Sequence, residues 1–327
     1  MKKMLIVGEL GYHEKNITQN IIKNIKKNYK IDRLGGNFDF FIPENYNSII
    51  DNYFKSIPVS LKEYDIVFFM DYWNMIMPLF MYKKSIENLN CVFASLYHGS
   101  VLFKDDVANE IINSVEYEKY LHNCFDYIFV NYDWIKKMHN YQKNMFVTIY
   151  PFDEQLKRKR PNLNYSKNIY FIHRFHEDKG CNKFLKFLEY CKIKNKLQDF
   201  NFYVFDNEPK NFKWKEEYLN LKFLGRQNQK YIKKFVSRGG YAWSSVKSET
   251  LGYGILDLIS YGITPILNNH LAYKSLYPKK FIYNSFDDII YKIQKRIKFT
   301  EKDWQYFKKW YSKEFKVYDF LNGISKK

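Results

Sequence analysis

The chain lacks any apolar run near the roughly 18–20 residues that a membrane-spanning helix needs, so no transmembrane helix is expected. Its first residues, MKKMLIVGEL, turn polar after a few apolar positions and read as a first β-strand rather than a signal peptide. Cysteine is scarce. Cys91, Cys124, Cys181 and Cys191 are scattered without metal-ligand spacing. Neither disulfides nor a zinc site is expected, and the default compartment is a reducing cytoplasm. No acidic cluster has the pattern of a metal site. There is no internal repeat, no low-complexity segment and no G-x-G-x-x-G fingerprint; the first loop, GELGY, carries only Gly8 and Gly11.

What is abundant is positive charge and aromatic surface. Lys and Arg number 53 against 35 acids, a net charge of +18. A field of that sign favours a polyanionic partner: nucleic acid, an acidic glycan or an anionic membrane surface. The alternative source is coding bias, because Lys, Asn, Ile, Tyr and Phe are all favoured by AT-rich codons. With 46% apolar and 20% aromatic residues, the 327-residue chain can build large cores. Its length suits two domains of about 150 residues each.

Short apolar runs alternate with amphipathic segments. KMLIVGE, YDIVFFM, NCVFASLY and FDYIFVN read as strands, nearly continuous in hydrophobicity, as in parallel sheets covered on both faces. A helix is expected over about Thr18–Lys27, with Ile21, Ile22 and Ile25 on one face. The polar, basic segment Asp153–Lys167 breaks the rhythm and marks a linker. The rhythm then restarts with IYFIHRF, CNKFLKFLEYC, FNFYVFD, LKFLG, NQKYIKKFVSR, GYAWSS, GYGILDLIS, TPILN and FDDIIYKIQKRI. These two βα arrays predict an α/β protein of two Rossmann-like, parallel-sheet domains facing a cleft. The expected boundaries are 1–155 for the first domain, 156–300 for the second, and 301–327 for a C-terminal helix.

The most informative stretch is SETLGYGILDLISYGITPIL, Ser248 to Leu267. The strand GYAWSS delivers the chain to the edge of a parallel sheet where ligands bind. Glu249 lies just before a helix, and Gly252 lets backbone approach closely. The helix start, with Thr250, Leu251 and Gly252, offers N–H groups and a positive dipole end to a diphosphate. Leu251, Ile255, Leu258 and Ile259 form its apolar face, so Asp257 is expected to look outward, as a carboxylate accepting from vicinal hydroxyls does. Gly262 stops the helix and Pro265 opens a buried strand. Earlier, FIHRFHEDKGCNKFL sets Arg174 and Lys179 in a loop that opens a helix, where two cations can neutralise a leaving diphosphate. His98, in SLYHGSVLF, follows a strand.

Glu249, Gly252, Asp257, Gly262 and Pro265 fall in the register of the retaining GT-B glycosyltransferases whose two glutamates stand eight apart, and the chain resembles that family over most of 168–270. The departure is Asp257 in place of the second glutamate. The resemblance implies that Glu249 lies against the donor sugar and that Asp257 holds the ribose. It further implies that Arg174 and Lys179 bind the donor diphosphate and that His98 faces the sugar. Gly8 and Gly11 match the family's first loop in position. The implied chemistry is front-face sugar transfer from a nucleotide sugar, UDP-glucose being favoured, with no obligatory metal or other cofactor.

A shorter stretch, SRGGYAWSSVKSETLGYGILDLISYGITPIL together with LYHGS, resembles the T-even bacteriophage DNA α-glucosyltransferases. That implies a DNA acceptor, a hydroxymethylated base, and a host-cell cytoplasm. The acid following the histidine in that family is Gly99 here, leaving Asp105 or Asp106 as substitutes. NFKWKEEY and WQYFKKWYSKEFK mix aromatic and basic residues suited to phosphates, although the second also suits a crossover helix. The competing acceptor is a bacterial surface glycan or lipid-linked precursor, with peripheral contact to anionic lipid. A catalytically idle nucleic-acid-binding scaffold is the alternative from another class, and a UDP-sugar epimerase shares the architecture.

Overall fold

The computed structural model describes residues 1–8, 12–34, 61–71, 80–81, 84–85, 90–97, 100, 102, 114–140, 143–158, 161, 165–215, 218, 220–246, 249 and 252–325. Among them the strands are β1 (Lys2–Val7), β2 (Tyr29–Leu34), β3 (Ile66–Phe69), β4 (Val92–Leu96), β5 (Tyr127–Val130), β6 (Met145–Val147), β7 (Asn168–Phe171), β8 (Asn201–Val204), β9 (Leu221–Phe223), β10 (Tyr241–Ser244), β11 (Thr264–Asn268) and β12 (Ile282–Tyr283). The helices, numbered among the described residues, are α1 (Tyr12–Ile25), α2 (Val115–Asn123), α3 (Asp133–Met138), α4 (Asp153–Lys157), α5 (Cys181–Ile193), α6 (Gln229–Val236), α7 (Tyr253–Ser260), α8 (Leu271–Leu276), α9 (Phe286–Gln294), α10 (Glu301–Lys313) and α11 (Val317–Ser325). The described residues of Met1–Leu102, Ala108–Asp153 and Glu314–Lys327 form one compact unit, and those of Glu154–Lys313 the other.

Each unit is built on a six-stranded sheet, and every named strand pairing is parallel. The first has the order β2-β1-β3-β4-β5-β6 and the second β12-β11-β10-β7-β8-β9. The near-continuous apolar runs explain this. Ile66, Val67, Phe68 and Phe69 are all fully buried, which a sheet with one wet face would not allow. In each sheet the strand order reverses once, between β1 and β3 and between β7 and β10. In open parallel sheets the crevice outside the strand ends at that reversal is where ligands bind.

In the second unit, α5 packs Phe184 and Phe187 against Trp243 of β10, with ring centroids 4.6 and 5.1 Å apart. That aromatic core fixes β10 beside β7, so the loops leaving both strands emerge together. All four cysteines are buried, and none is in a disulfide.

The C-terminal segment is two helices rather than one. α10 belongs to the second unit and buries Trp304, Phe307 and Tyr311. The chain then leaves helical geometry to bridge Ile149: Ile149 N–H donates to Phe315 O at 2.8 Å. α11 belongs to the first unit. Tyr29 OH donates to Leu321 O at 2.6 Å, and Phe320 packs 4.9 Å from Tyr127 and 5.1 Å from Phe129. α1 starts earlier than its apolar spacing predicts, at Tyr12.

The first unit also holds a buried polar cluster. Glu118, His122, His139 and Ser100 are fully buried. Ser100 donates to Glu118 at 3.0 Å, and Tyr97 OH lies 2.7 Å from His139 Nε2. Burial, with the neighbouring His139, pushes His122 down to about 2, and burial alone pushes His139 down to about 4. Both rings are therefore neutral at pH 7, and the 3.9 Å approach of His122 to Glu118 is not an ion pair there. Their folded values lie below the unfolded one, so as pH falls the unfolded chain takes up protons first. Stability is complete above about pH 6.5 and falls below it, each histidine costing about 2 kcal/mol by pH 5. Urea midpoints at pH 7 and pH 5 check this; equal midpoints would contradict it.

Candidate functional site

The second unit assembles most of the described motif residues at the β7/β10 reversal. After β7 the chain runs through His173 and exposed Arg174 into a short 3-10 turn, Glu177–Lys179, which ends at Gly180. Phe175 N–H donates to Asp206 at 2.8 Å, tying this loop to the end of β8. Burial raises the Asp206 pKa, but hydrogen bonds from Phe175 N–H, Arg226 and Asn207 N–H outweigh it and hold the carboxyl below the usual range. Gly180 has φ +77°, the left-handed region that a side chain disfavours. A Cβ there would overlap the backbone carbonyl of Ser245, whose hydroxyl donates to Gly180 O at 2.9 Å. The loop after β7 therefore lies directly on the loop after β10.

That second loop leads to half-buried Glu249 and to Gly252, which caps α7 with φ +75°. A Cβ on Gly252 would sit 3.1 Å from Tyr273 Cε1, 3.4 Å from its OH and 3.7 Å from Glu249 Cγ. Helix start, acid and tyrosine are thus packed into one corner. Tyr273 closes a hydrogen-bonded chain across the reversal: His173 Nε2 is 2.9 Å from Ser244 Oγ, which is 2.8 Å from Tyr273 OH. Burial, and next the charge of Glu249, hold the Tyr273 phenol well above its ordinary pKa, so it stays protonated.

Asp257 differs from its expected orientation. It is 7% exposed and turned inward. Its Oδ1 accepts from Arg158 at 2.7 Å and from Gln155 at 3.3 Å, and its Oδ2 accepts from Gln229 at 3.2 Å. Arg158 also donates to Ser260 Oγ at 2.7 Å and stacks 4.8 Å over Tyr261. A carboxylate on a largely buried helix needs such partners, because an unpaired buried charge is strongly unfavourable. Sequence reading missed Arg158 by taking its basic run as linker. It missed Tyr273 because nothing marks a tyrosine on a six-residue helix as a neighbour of Glu249.

Of the other expected residues, Lys179 is half-buried on the same loop as Arg174. Gly8, with φ +87°, ends β1 beside the reversal in the first sheet, and its N–H donates to Leu34 O at 3.1 Å. His98, Gly11, Thr250 and Leu251 lie outside the described residues, as do Gly99, Asp105 and Asp106. Just before His98, the Tyr150 hydroxyl accepts from Tyr97 N–H at 2.7 Å and lies 2.5 Å from Tyr97 O. Among the described residues no group of three His, Cys, Asp or Glu could hold a metal ion, and no helix is long and apolar enough to cross a membrane.

No family model and no curated protein matches the chain. Solved structures do. TarM matches at 14% identity and TM-score 0.56, over 75% of this chain and 50% of its own. This chain therefore spans about half the length of that protein. Sucrose-phosphate synthase from Thermosynechococcus elongatus matches at 10% identity and TM-score 0.60, over 90% of this chain and 89% of its own. An α-glucosyltransferase in complex with UDP and a 13-mer DNA containing an A:G mismatch matches at 11% identity and TM-score 0.56, over 90% of each chain. The fold is that of the GT-B glycosyltransferases.

Proposed function

We propose that this chain is a retaining glycosyltransferase that moves a sugar from a UDP-sugar, UDP-glucose being favoured, to a hydroxyl on a hydroxymethylated base of DNA. One observation carries the donor half of this reading: the contact of Gly180 with Ser245. It brings the loop bearing Arg174 and Lys179 against the loop bearing Glu249 and the start of α7. Two cations on the one loop and a helix N-terminus after the other are the chemistry that receives a diphosphate.

The reaction breaks the bond between the sugar's anomeric carbon and the diphosphate oxygen. Positive charge develops on the sugar and negative charge on the departing oxygen. Arg174, Lys179 and the N–H groups at Gly252 stabilise the second, and fixed donors in a preorganised site need no reorganisation as that charge appears. Glu249 holds sugar hydroxyls and orients the donor. The acceptor hydroxyl attacks from the leaving-group face and gives its proton to the departing phosphate, so configuration is retained. The chain's own role is to bind, orient and stabilise charge.

Tyr273 stands beside Glu249 at the start of α7 and is bonded to Ser244. Replacing Tyr273 by Phe removes one hydroxyl from the chain to Ser244 and is expected to lower kcat about tenfold with little change in donor KM. A rise in KM at constant kcat would instead mean a binding role.

The DNA acceptor is supported by the net charge of +18 and by the fold likeness to the α-glucosyltransferase solved with UDP and DNA. The second reading, a glycan acceptor, is favoured by the likeness to TarM, a mutant of which was solved with α-GlcNAc-glycerol and UDP. UDP release from UDP-glucose separates the two, measured without acceptor, with a hydroxymethylcytosine duplex, and with an unmodified duplex. Release only with the modified duplex is expected. Release indifferent to DNA moves the acceptor to a glycan, and no release in any arm overturns the enzyme reading.

A further inference from the structure

We propose that the outer face of α6 docks the phosphate backbone of the DNA acceptor and holds it beside α7. The inference rests on the DNA-acceptor reading above and gives that acceptor a place on the chain. Residues 225–240 hold five cations, Arg226, Lys230, Lys233, Lys234 and Arg238, and no acid. Arg226 is paired with Asp206 at 3.0 Å. The other four are exposed. Lys230 and Lys234, four residues apart, lie on one face of the helix with Lys233 beside them, and Arg238 follows just past the helix end. Among the described residues none of Lys230, Lys233 and Lys234 is in an ion pair. The basic segment NFKWKEEY differs: its Lys215 pairs with Glu189, and its Trp214 donates to Glu208.

A duplex carries one negative charge per about 1.7 Å of its axis, so a face of lysines is complementary to it. The first turn of α6 carries Lys230 and no acid, which opposes the helix dipole and favours an anion outside. An anionic lipid surface would attract the same charge, but a helix lying in that interface needs a free apolar face. In α6 that face is in use. Val236 is fully buried, and the Phe235 ring centroid lies 4.9 Å from that of Tyr203 and 5.9 Å from that of Phe205. Tyr231 is the exposed aromatic of the helix, stacked on Phe235 at 5.9 Å, and the Arg238 guanidinium stacks on Phe235 at 5.4 Å. Gln229, which opens α6, donates to Asp257 of α7 at 3.2 Å. The cationic face therefore belongs to a helix tied to the one that follows Glu249.

Fluorescence anisotropy of the whole chain with a hydroxymethylcytosine duplex, at several salt concentrations, tests this. Each lost phosphate contact flattens the slope of log affinity against log salt by about 0.9. The triple variant Lys230→Ala, Lys233→Ala, Lys234→Ala is expected to flatten it by about 2–3 and to weaken binding about tenfold or more at low salt. A control variant, Lys302→Ala, Lys309→Ala, Lys313→Ala, removes the same charge from three exposed positions on α10. Its slope is expected to stay within about 1 of the wild type. UDP affinity is expected to be unchanged in both; its loss in the α6 variant would place these lysines in the donor site and overturn the inference. Equal losses of DNA binding in the two variants also overturn it, because the attraction is then the diffuse field of the net charge. So does an α6 variant that loses phosphatidylserine vesicles and keeps its DNA affinity, which would make the face a membrane contact. A wild-type chain that binds no duplex overturns the acceptor reading and this inference with it, whereas an α6 variant that binds DNA like the wild type sinks this inference alone.

Discussion

Replacing Arg174 by alanine is expected to lower sugar transfer about a hundred- to a thousandfold, the loss seen when one preorganised donor to a developing oxyanion is removed. DNA affinity should stay within about twofold, because one exposed cation among 53 basic residues adds little to backbone attraction. Arg174→Lys keeps the charge but not the planar fork that matches phosphate oxygens, so only part of the rate should return. Lys179→Ala is expected to act in the same direction and more weakly, as loss of a point charge. Initial rates and DNA titrations on the same preparations check both quantities. Collapse of DNA binding together with transfer would mean that Arg174 serves the acceptor and not the donor.

The largest expected effect on stability is at Gly180. Gly180→Ala forces a side chain into left-handed backbone geometry, at about 1–2 kcal/mol. It also drives a methyl into the Ser245 carbonyl, a backbone atom that cannot turn aside. Overpacking of that kind costs about 1–3 kcal/mol more. The combined loss, about 3 kcal/mol, corresponds to a fall of about 6–12 °C in melting temperature for a unit of this size. Relief by shifting one loop would separate the two halves of the donor corner, so transfer should fall as well. Gly323→Ala is the matched control. A Cβ there meets nothing within 4 Å, and the site is exposed within α11, so the change is expected to stabilise by about 0.5–1 kcal/mol. A Gly180→Ala protein that melts like the wild type would contradict the contact between the two loops.

The architecture was legible because parallel strands covered on both faces must be apolar along their whole length. Ile66–Phe69 stands out in the sequence for that reason. β2 did not. Its residues Tyr29–Leu34 lie at a sheet edge, with Lys30, Asp32 and Arg33 interleaved, and no apolar run announces it. The break between α10 and α11 was hidden too, because it is set by a bridge to Ile149, a partner far away in sequence. At the site, spacing pointed to Arg174, Lys179, Glu249 and Gly252, which lie on the segments that follow β7 and β10. Spacing could not give the direction of Asp257. Helical periodicity placed it opposite Ile255 and Ile259, whereas the neighbouring segments cover that face of α7 with Gln155, Arg158 and Gln229. The chain His173–Ser244–Tyr273 joins three elements and exists only once the sheet has formed.

The measurement that tests the donor site most directly is amide hydrogen exchange with and without UDP. Slower exchange is expected in two separated segments, 174–181 and 252–258, with β1 to β6 unchanged. UDP that binds while leaving both segments as they were, or that protects only residues of the first unit, would contradict a donor site at the β7/β10 reversal.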